Sequence, residues 1–148
     1  MQTKVLILFL LFMQLTGCTF NEKEPLTEIE EEVPEIERTY TEVSDFELTW
    51  DSVFDVDESK YYVYFYSITC AHCKELQNYI IDTALKRGDV YFVKGTSKDQ
   101  ITSDTKKLIG AEIPGDIWIL GYPSLLKILD KKVTKNLAGS SQIKSELK

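Results

Sequence analysis

The feature that most constrains this chain is a junction near its middle. Lys60 to Ser67 is almost entirely Tyr, Val and Phe, a composition that predicts a strand. Because polar and apolar residues do not alternate cleanly along it, the strand is expected to sit in a sheet covered on both faces. Ile68 and Thr69 then lead into Cys70-Ala71-His72-Cys73. From there Cys73, Leu76, Ile80 and Ala84 recur at three- and four-residue spacing, which marks an amphipathic helix. Lys86 and Arg87 complement the negative end of its dipole, and Gly88 can end it. A strand feeding a cysteine-headed helix restricts the chain to an α/β architecture.

A CxxC pair has three readings: half of a zinc site, a redox couple, or coincidence. Zinc usually takes four ligands, typically a second CxxC or a pair of histidines. Here the only other cysteine is Cys18, and His72 is the only histidine, so no metal site is expected within one chain. The strand-to-helix position favours redox chemistry instead. A cysteine at a helix N-terminus meets unpaired backbone N–H groups and the positive end of the dipole, which favours its thiolate. Cys70 is the candidate nucleophile. Cys73, one turn on and on the same side, is within reach for a disulfide. Cys70 would attack a substrate disulfide and Cys73 would resolve the mixed disulfide; the reverse sequence would oxidise a dithiol. His72 either tunes Cys70, electrostatically or by hydrogen bond, or is an ordinary surface histidine on the helix's first turn.

The charge is unevenly placed. Of 148 residues with net charge −7, Thr19 to Asp45 carry ten acids against Lys23 and Arg38, whereas Phe46 to Lys148 carry fourteen acids and fourteen bases. No basic patch stands out, so no nucleic-acid partner is expected. The acidic stretch, residues 18–45 with prolines at 25 and 34, is expected to be an extended flexible tether held open by carboxylate repulsion. A docking role for it is the alternative.

Before the tether, Lys4 precedes an unbroken apolar run from Val5 to Met13. Nine residues are too few to span a bilayer as a helix and suit the core of a signal peptide over residues 1–17. Leu15-Thr16-Gly17-Cys18 resembles the bacterial lipobox, in which the cysteine thiol after the cleaved bond takes a thioether-linked diacylglycerol. Two or more acyl chains anchor a protein stably. The resemblance implies a membrane contact through lipid on Cys18, on the extracytoplasmic side of the cell membrane. An ordinary secretory signal or an uncleaved anchor are the other readings. Outside the cytoplasm disulfides are tolerated, and Cys70 and Cys73 are then the only thiols left.

The rest of the chain reads as follows. Phe46 to Trp50 alternates like a first strand, and Asp51 to Ser59 is expected as a short helix capped by Asp51. Val90 to Val93 is a strand, Lys98 to Ile109 a helical stretch, and Pro114-Gly115 a turn. Ser124 to Leu129 and Val133 to Leu137 are expected to form a hairpin across Asp130-Lys131-Lys132. Ser140 or Ser141 is expected to cap a last helix carrying Ile143 and Leu147. The expected order is β-α-β-α-β-α-β-β-α.

The strand, the helix-heading CxxC and the later Gly121-Tyr122-Pro123-Ser124-Leu125-Leu126 resemble the thioredoxin superfamily over residues 46–148. The resemblance implies an α/β domain with a central mixed sheet flanked by helices and no large helical insertion. It also implies that Pro123 is the family's cis-proline, packed against the redox pair. A cis X-Pro bond turns the chain sharply and leaves the Tyr122 backbone free to pair with an extended substrate; a trans-proline opening an edge strand is the plainer alternative. Ala71-His72 matches neither the Gly-Pro of reducing thioredoxins nor the Pro-His of periplasmic disulfide oxidases, sharing only the histidine with the latter. Tyr64 stands where thioredoxins place a buried proton-transferring acid, and Thr69 where they place an aromatic. In style the chain is similar to extracellular thioredoxin-like proteins of Gram-positive bacteria, including those called bacteriocin transport accessory proteins.

These readings lead to a membrane-tethered thiol–disulfide oxidoreductase. It needs no cofactor beyond the Cys70–Cys73 disulfide, and its partners are protein thiols or disulfides and a redox partner. A non-catalytic thioredoxin-like binding module or transport accessory is the alternative. The motif serves either direction, since about 30 mV of potential already equals 1.4 kcal/mol.

Overall fold

The computed structural model describes residues 37–148. The expected signal peptide, Cys18 and most of the acidic stretch lie outside these residues. Five strands form one sheet: β1 (Glu47–Leu48), β2 (Lys60–Tyr66), β3 (Val90–Lys94), β4 (Ser124–Leu129) and β5 (Lys132–Ala138). Their spatial order is β1-β3-β2-β4-β5. β1 and β2 run parallel to β3, while β4 is antiparallel to β2 and β5 to β4. Two α-helices accompany them, α1 (Ala71–Arg87) and α2 (Ser140–Leu147).

β2 is central, and its sequence shows why. Tyr62, Tyr64 and Tyr66 face one core with Cys73, Leu76, Ile80 and Ala84 of α1 and Ile143 and Leu147 of α2. Tyr61, Val63 and Phe65 face a second core with Val53, Phe54, Leu108, Ile117, Ile119 and Leu126. The strand carries large apolar bodies on both sides because both sides are covered. α1 ends at Gly88, which adopts φ 77° and returns its N–H to the Ala84 carbonyl at 2.8 Å, as a left-handed cap requires. β4 and β5 meet in a two-residue turn, Asp130-Lys131, with both φ positive (49° and 62°). Lys132, expected in the loop, already pairs with Leu129.

Both α-helices pack on the tyrosine face, and the second core is covered by turns where helices were expected. Over 51–59 there is only a 3-10 turn, Trp50–Ser52, capped by Thr49 rather than Asp51. Val53, Phe54 and Val56 are all buried, and the Tyr61 hydroxyl donates to the Val53 carbonyl at 2.8 Å, holding the chain in this turn. Over 98–109 short side chains divert the backbone. Asp104 N–H bonds to Thr102 Oγ1 at 3.1 Å and Lys106 N–H to Asp104 Oδ1 at 2.9 Å, the local competition that makes such residues poor in helix interiors. Ile101 instead forms a parallel bridge with Ile119. The last helix begins at Gly139 with no side-chain cap from Ser140 or Ser141. Its hold comes later: Glu146 accepts from Lys127 (2.9 Å), Lys135 (2.7 Å) and the Tyr62 hydroxyl (3.2 Å).

The packed domain also starts earlier than Phe46. Tyr40–Phe46 is a 3-10 turn whose Val43 is 1% exposed, and Tyr40 stacks on Tyr66 with centroids 3.8 Å apart. Arg38 pairs with Asp82 of α1 at 2.7 Å, and its N–H bonds to Asn78 at 2.9 Å. Residues 38–45, assigned to the tether by their charge, therefore belong to the domain. Glu42 and Arg38 there bond each other (2.7 Å), so the count of charge concealed a fold.

Candidate redox site

β2 ends at Tyr66, and Ser67 to Thr69 carry the chain to Cys70, which sits at the N-cap of α1. Its own N–H is bonded to the Ser67 carbonyl at 3.2 Å. As a cap residue it offers its side chain to the helix's first turn, and Cys73 N–H donates to Cys70 Sγ at 3.2 Å. The Cys70 thiol in turn donates to the Tyr122 carbonyl at 3.4 Å. The sulfur therefore lies between a donor that serves a thiolate and an acceptor that serves a thiol. Both cysteines are free thiols; Cys70 is half-buried and Cys73 fully buried. Only Cys70 is open to a macromolecule.

The Tyr122–Pro123 bond is cis, and Pro123 is followed directly by β4. Pairing of β4 with β2, in which Ser124 faces Phe65, brings this bend to the same end of the sheet as Cys70. Cys70, Cys73, Tyr122 and Pro123 thus converge as the sequence suggested. His72 does not join them through any contact: its Nδ1 lies 3.2 Å from Glu75 Oε2 and its side chain is 74% exposed. Ile68, 71% exposed, leaves an apolar side chain in solvent two residues before Cys70.

Burial holds the Cys73 thiol well above the ordinary thiol value, and its interaction with Cys70 adds to this. The Ser67 backbone and the Tyr64 hydroxyl act in the opposite sense. Tyr64 is completely buried, and its own pKa is driven far up by that burial and by the nearby Tyr40 and Cys73. The hydroxyls of Tyr64 and Tyr40 are both buried without a partner in full hydrogen-bond geometry, although each acts on the other electrostatically. Polar atoms left in this way are few in folded proteins, and here two of them lie near Cys73. Tyr40 could not be seen as part of the site in the sequence because its segment reads as tether.

Three further residues, Gly95, Thr96 and Asp99, adjoin Tyr122. Tyr122 donates its hydroxyl to Asp99, and its ring lies over Gly95, where a Cβ would come within 2.5 Å of Tyr122 Cζ and Oη. Thr96 holds Asp99 by its N–H (3.1 Å) and its hydroxyl (2.6 Å). A Thr with an Asp three residues on is a recognisable turn signal, masked here by the helical reading that began at Lys98.

No protein-family model matches the chain, and no curated protein does. Among solved structures it is similar to thioredoxin f2 of Chlamydomonas reinhardtii, at 17% identity over 68% of this chain and 89% of that one, with a TM-score of 0.44. It is similar to mitochondrial thioredoxin 3 of Saccharomyces cerevisiae in its oxidised form, at 17% identity over 72% and 93%, TM-score 0.46. It is also similar to the oxidised thioredoxin of Plasmodium falciparum, at 16% identity over 66% and 86%, TM-score 0.44. By its own strand order, its cysteine pair at the head of α1 and its cis-proline opening β4, the domain has the thioredoxin fold.

Proposed function

We propose that this protein is a membrane-tethered, extracytoplasmic thiol–disulfide oxidoreductase acting on protein disulfides or dithiols. The observation that carries the reading is the difference between the two sulfurs: Cys70 is accessible and hydrogen-bonded from both sides, and Cys73 is buried beneath it. As a reductase, the Cys70 thiolate attacks a substrate disulfide, forming one S–S bond and releasing one substrate thiolate, which takes up a proton. Cys73 then gives up its proton and attacks Cys70, forming the internal disulfide and releasing the second substrate thiol. Two electrons pass to the substrate, and a redox partner must return them. His72, whose Nδ1 lies against Glu75, makes no contact with either sulfur and would act on Cys70 only through the electrostatics of the helix start. Ile68 offers an apolar contact beside the nucleophile, which suits a protein substrate.

The tether part of the reading is supported by the sequence: the apolar run of Val5–Met13 followed by Leu15-Thr16-Gly17-Cys18. The reading is tested by reduction of insulin by the reduced protein, oxidation of a dithiol peptide by the oxidised protein, and fractionation of cells. Turnover in either direction, with Cys18→Ala moving the protein out of the membrane fraction, is the expected result. A protein inert in both assays is a binding module, and a Cys18→Ala protein that stays with membranes has an uncleaved anchor.

The buried Cys73 thiol gives the resolving step a pH dependence. Its pKa is raised, so at neutral pH it is mostly protonated, and only the thiolate attacks. Resolution of a preformed mixed disulfide is expected to accelerate about tenfold per pH unit through the neutral range. Tyr64→Phe keeps the ring but removes the hydroxyl that eases the Cys73 thiolate. It is expected to slow resolution by at most about threefold, less than a full hydrogen bond would give, at every pH in that range without changing the slope, measured by stopped-flow loss of the mixed disulfide. An unchanged rate would remove Tyr64 from the mechanism.

A further inference from the structure

Tyr122 is fixed at both ends. Its carbonyl accepts from the Cys70 thiol at 3.4 Å, and its hydroxyl donates to Asp99 across Gly95. Gly95 is tied to the sheet through its N–H, which bonds to the Tyr66 carbonyl at 2.6 Å, and Thr96 braces the Asp99 carboxylate with two bonds. Just before Tyr122, Gly121 adopts φ +110°, a conformation open to glycine because it lacks a Cβ, and its carbonyl accepts from the Ser124 hydroxyl at 2.7 Å.

We propose that Asp99 is a positioning residue of the redox site: by holding the Tyr122 hydroxyl over Gly95, it fixes the main-chain edge at Tyr122–Pro123 that an extended substrate pairs with beside Cys70. The inference rests on the oxidoreductase reading and adds to it a determinant of substrate affinity. Strand addition draws its affinity from main-chain hydrogen bonds, and these are made only if the receiving N–H and C=O already point the right way. A side chain anchored far from the main chain removes freedom before the substrate arrives, so binding does not have to supply that ordering. Asp99 touches neither the sulfurs nor the pairing edge. Its effect therefore falls on binding more than on the sulfur chemistry.

The test is steady-state reduction of insulin by the full chain, with KM and kcat separated. Tyr122→Phe and Asp99→Ala are each expected to raise KM about fivefold to tenfold, the scale of one lost hydrogen bond, with a much smaller fall in kcat. Asp99→Asn, which keeps an acceptor oxygen for the Tyr122 hydroxyl, is expected to recover most of the loss. The double variant is expected to be no worse than the poorer single one, because both remove the same bond. Lys98→Ala, on the same loop, is the control for general disturbance and is expected to match the wild type. Additive losses in the double variant, or an unmoved KM in Tyr122→Phe, overturn the inference while leaving the oxidoreductase reading intact. A wild type that reduces neither insulin nor a small aromatic disulfide overturns the oxidoreductase reading itself, and the inference with it.

Discussion

A Cys73→Ala variant is expected to stall with its substrate attached. The Cys70 sulfur keeps the bond from the residue-73 N–H, because that donor belongs to the backbone, and it stays accessible, so the first attack proceeds. The second attack has no sulfur to make it. Multiple turnover should fall by roughly three orders of magnitude or more, while adducts accumulate that migrate as higher-mass bands and collapse on adding a small dithiol. Cys70→Ala should give no such bands, since Cys73 is 1% exposed beneath the helix start and a protein disulfide cannot approach it. Equal trapping by the Cys70→Ala protein would reverse the assignment of the two roles. In cells the same variant names the substrate, because whatever is captured on Cys70 can be identified directly.

The second large effect concerns the segment before β1. Beginning the chain at Phe46 is expected to destabilise the domain by about 3–5 kcal/mol, a substantial part of the roughly 5–15 kcal/mol typical of a domain this size. Most of the loss is apolar: Val43 is fully buried and the Tyr40 ring covers Tyr66. The partly exposed Arg38 pairs add little. Val43→Ala alone is expected to cost about 2 kcal/mol. Urea unfolding of the shortened, substituted and parent proteins measures both, read as a shift of midpoint at constant slope. A shortened protein with the parent's midpoint would falsify the placement of the domain's start at Arg38.

These two expectations show where sequence reasoning succeeded and where it stopped. β2 and α1 were legible because each obeys a local rule strongly: a run of aromatic and β-branched residues in one, and a three- and four-residue apolar period with a glycine end in the other. The placement of Cys70 and Cys73 at the head of a helix followed from their junction. Pro123 was legible only through resemblance, and its cis bond is now seen directly. What failed was decided by contacts far away in sequence. Val53 and Phe54 leave the helical pattern as both are buried in the core that Tyr61, Val63 and Phe65 face, and Ile101 leaves it to pair with Ile119. Tyr40 and Val43 were hidden because surrounding glutamates dominate the composition of their segment. Asp99 carried a turn signal but no sign that its partner would be the residue before Pro123. His72 was read from its place between the cysteines, yet on the first turn of a helix that place points it to Glu75, three residues on.

The arrangement around Cys70 has a consequence for how fast the site can change state. The sulfur has the Cys73 N–H at 3.2 Å and the Tyr122 carbonyl at 3.4 Å at the same time. When the proton is present, the carbonyl is its acceptor; when it leaves, the amide is already in place as donor. Neither state asks a side chain to rotate or a water to enter. Solvent around a free thiol has to reorient as charge develops, and that reorientation is part of the barrier; dipoles fixed by a folded backbone are spared it. One of those two groups is pinned by the first turn of α1 and the other by the bend at Pro123, two elements far apart in sequence that meet at Cys70. The pair of fixed dipoles at Cys70 is thus a property of the whole fold rather than of the four residues of the motif.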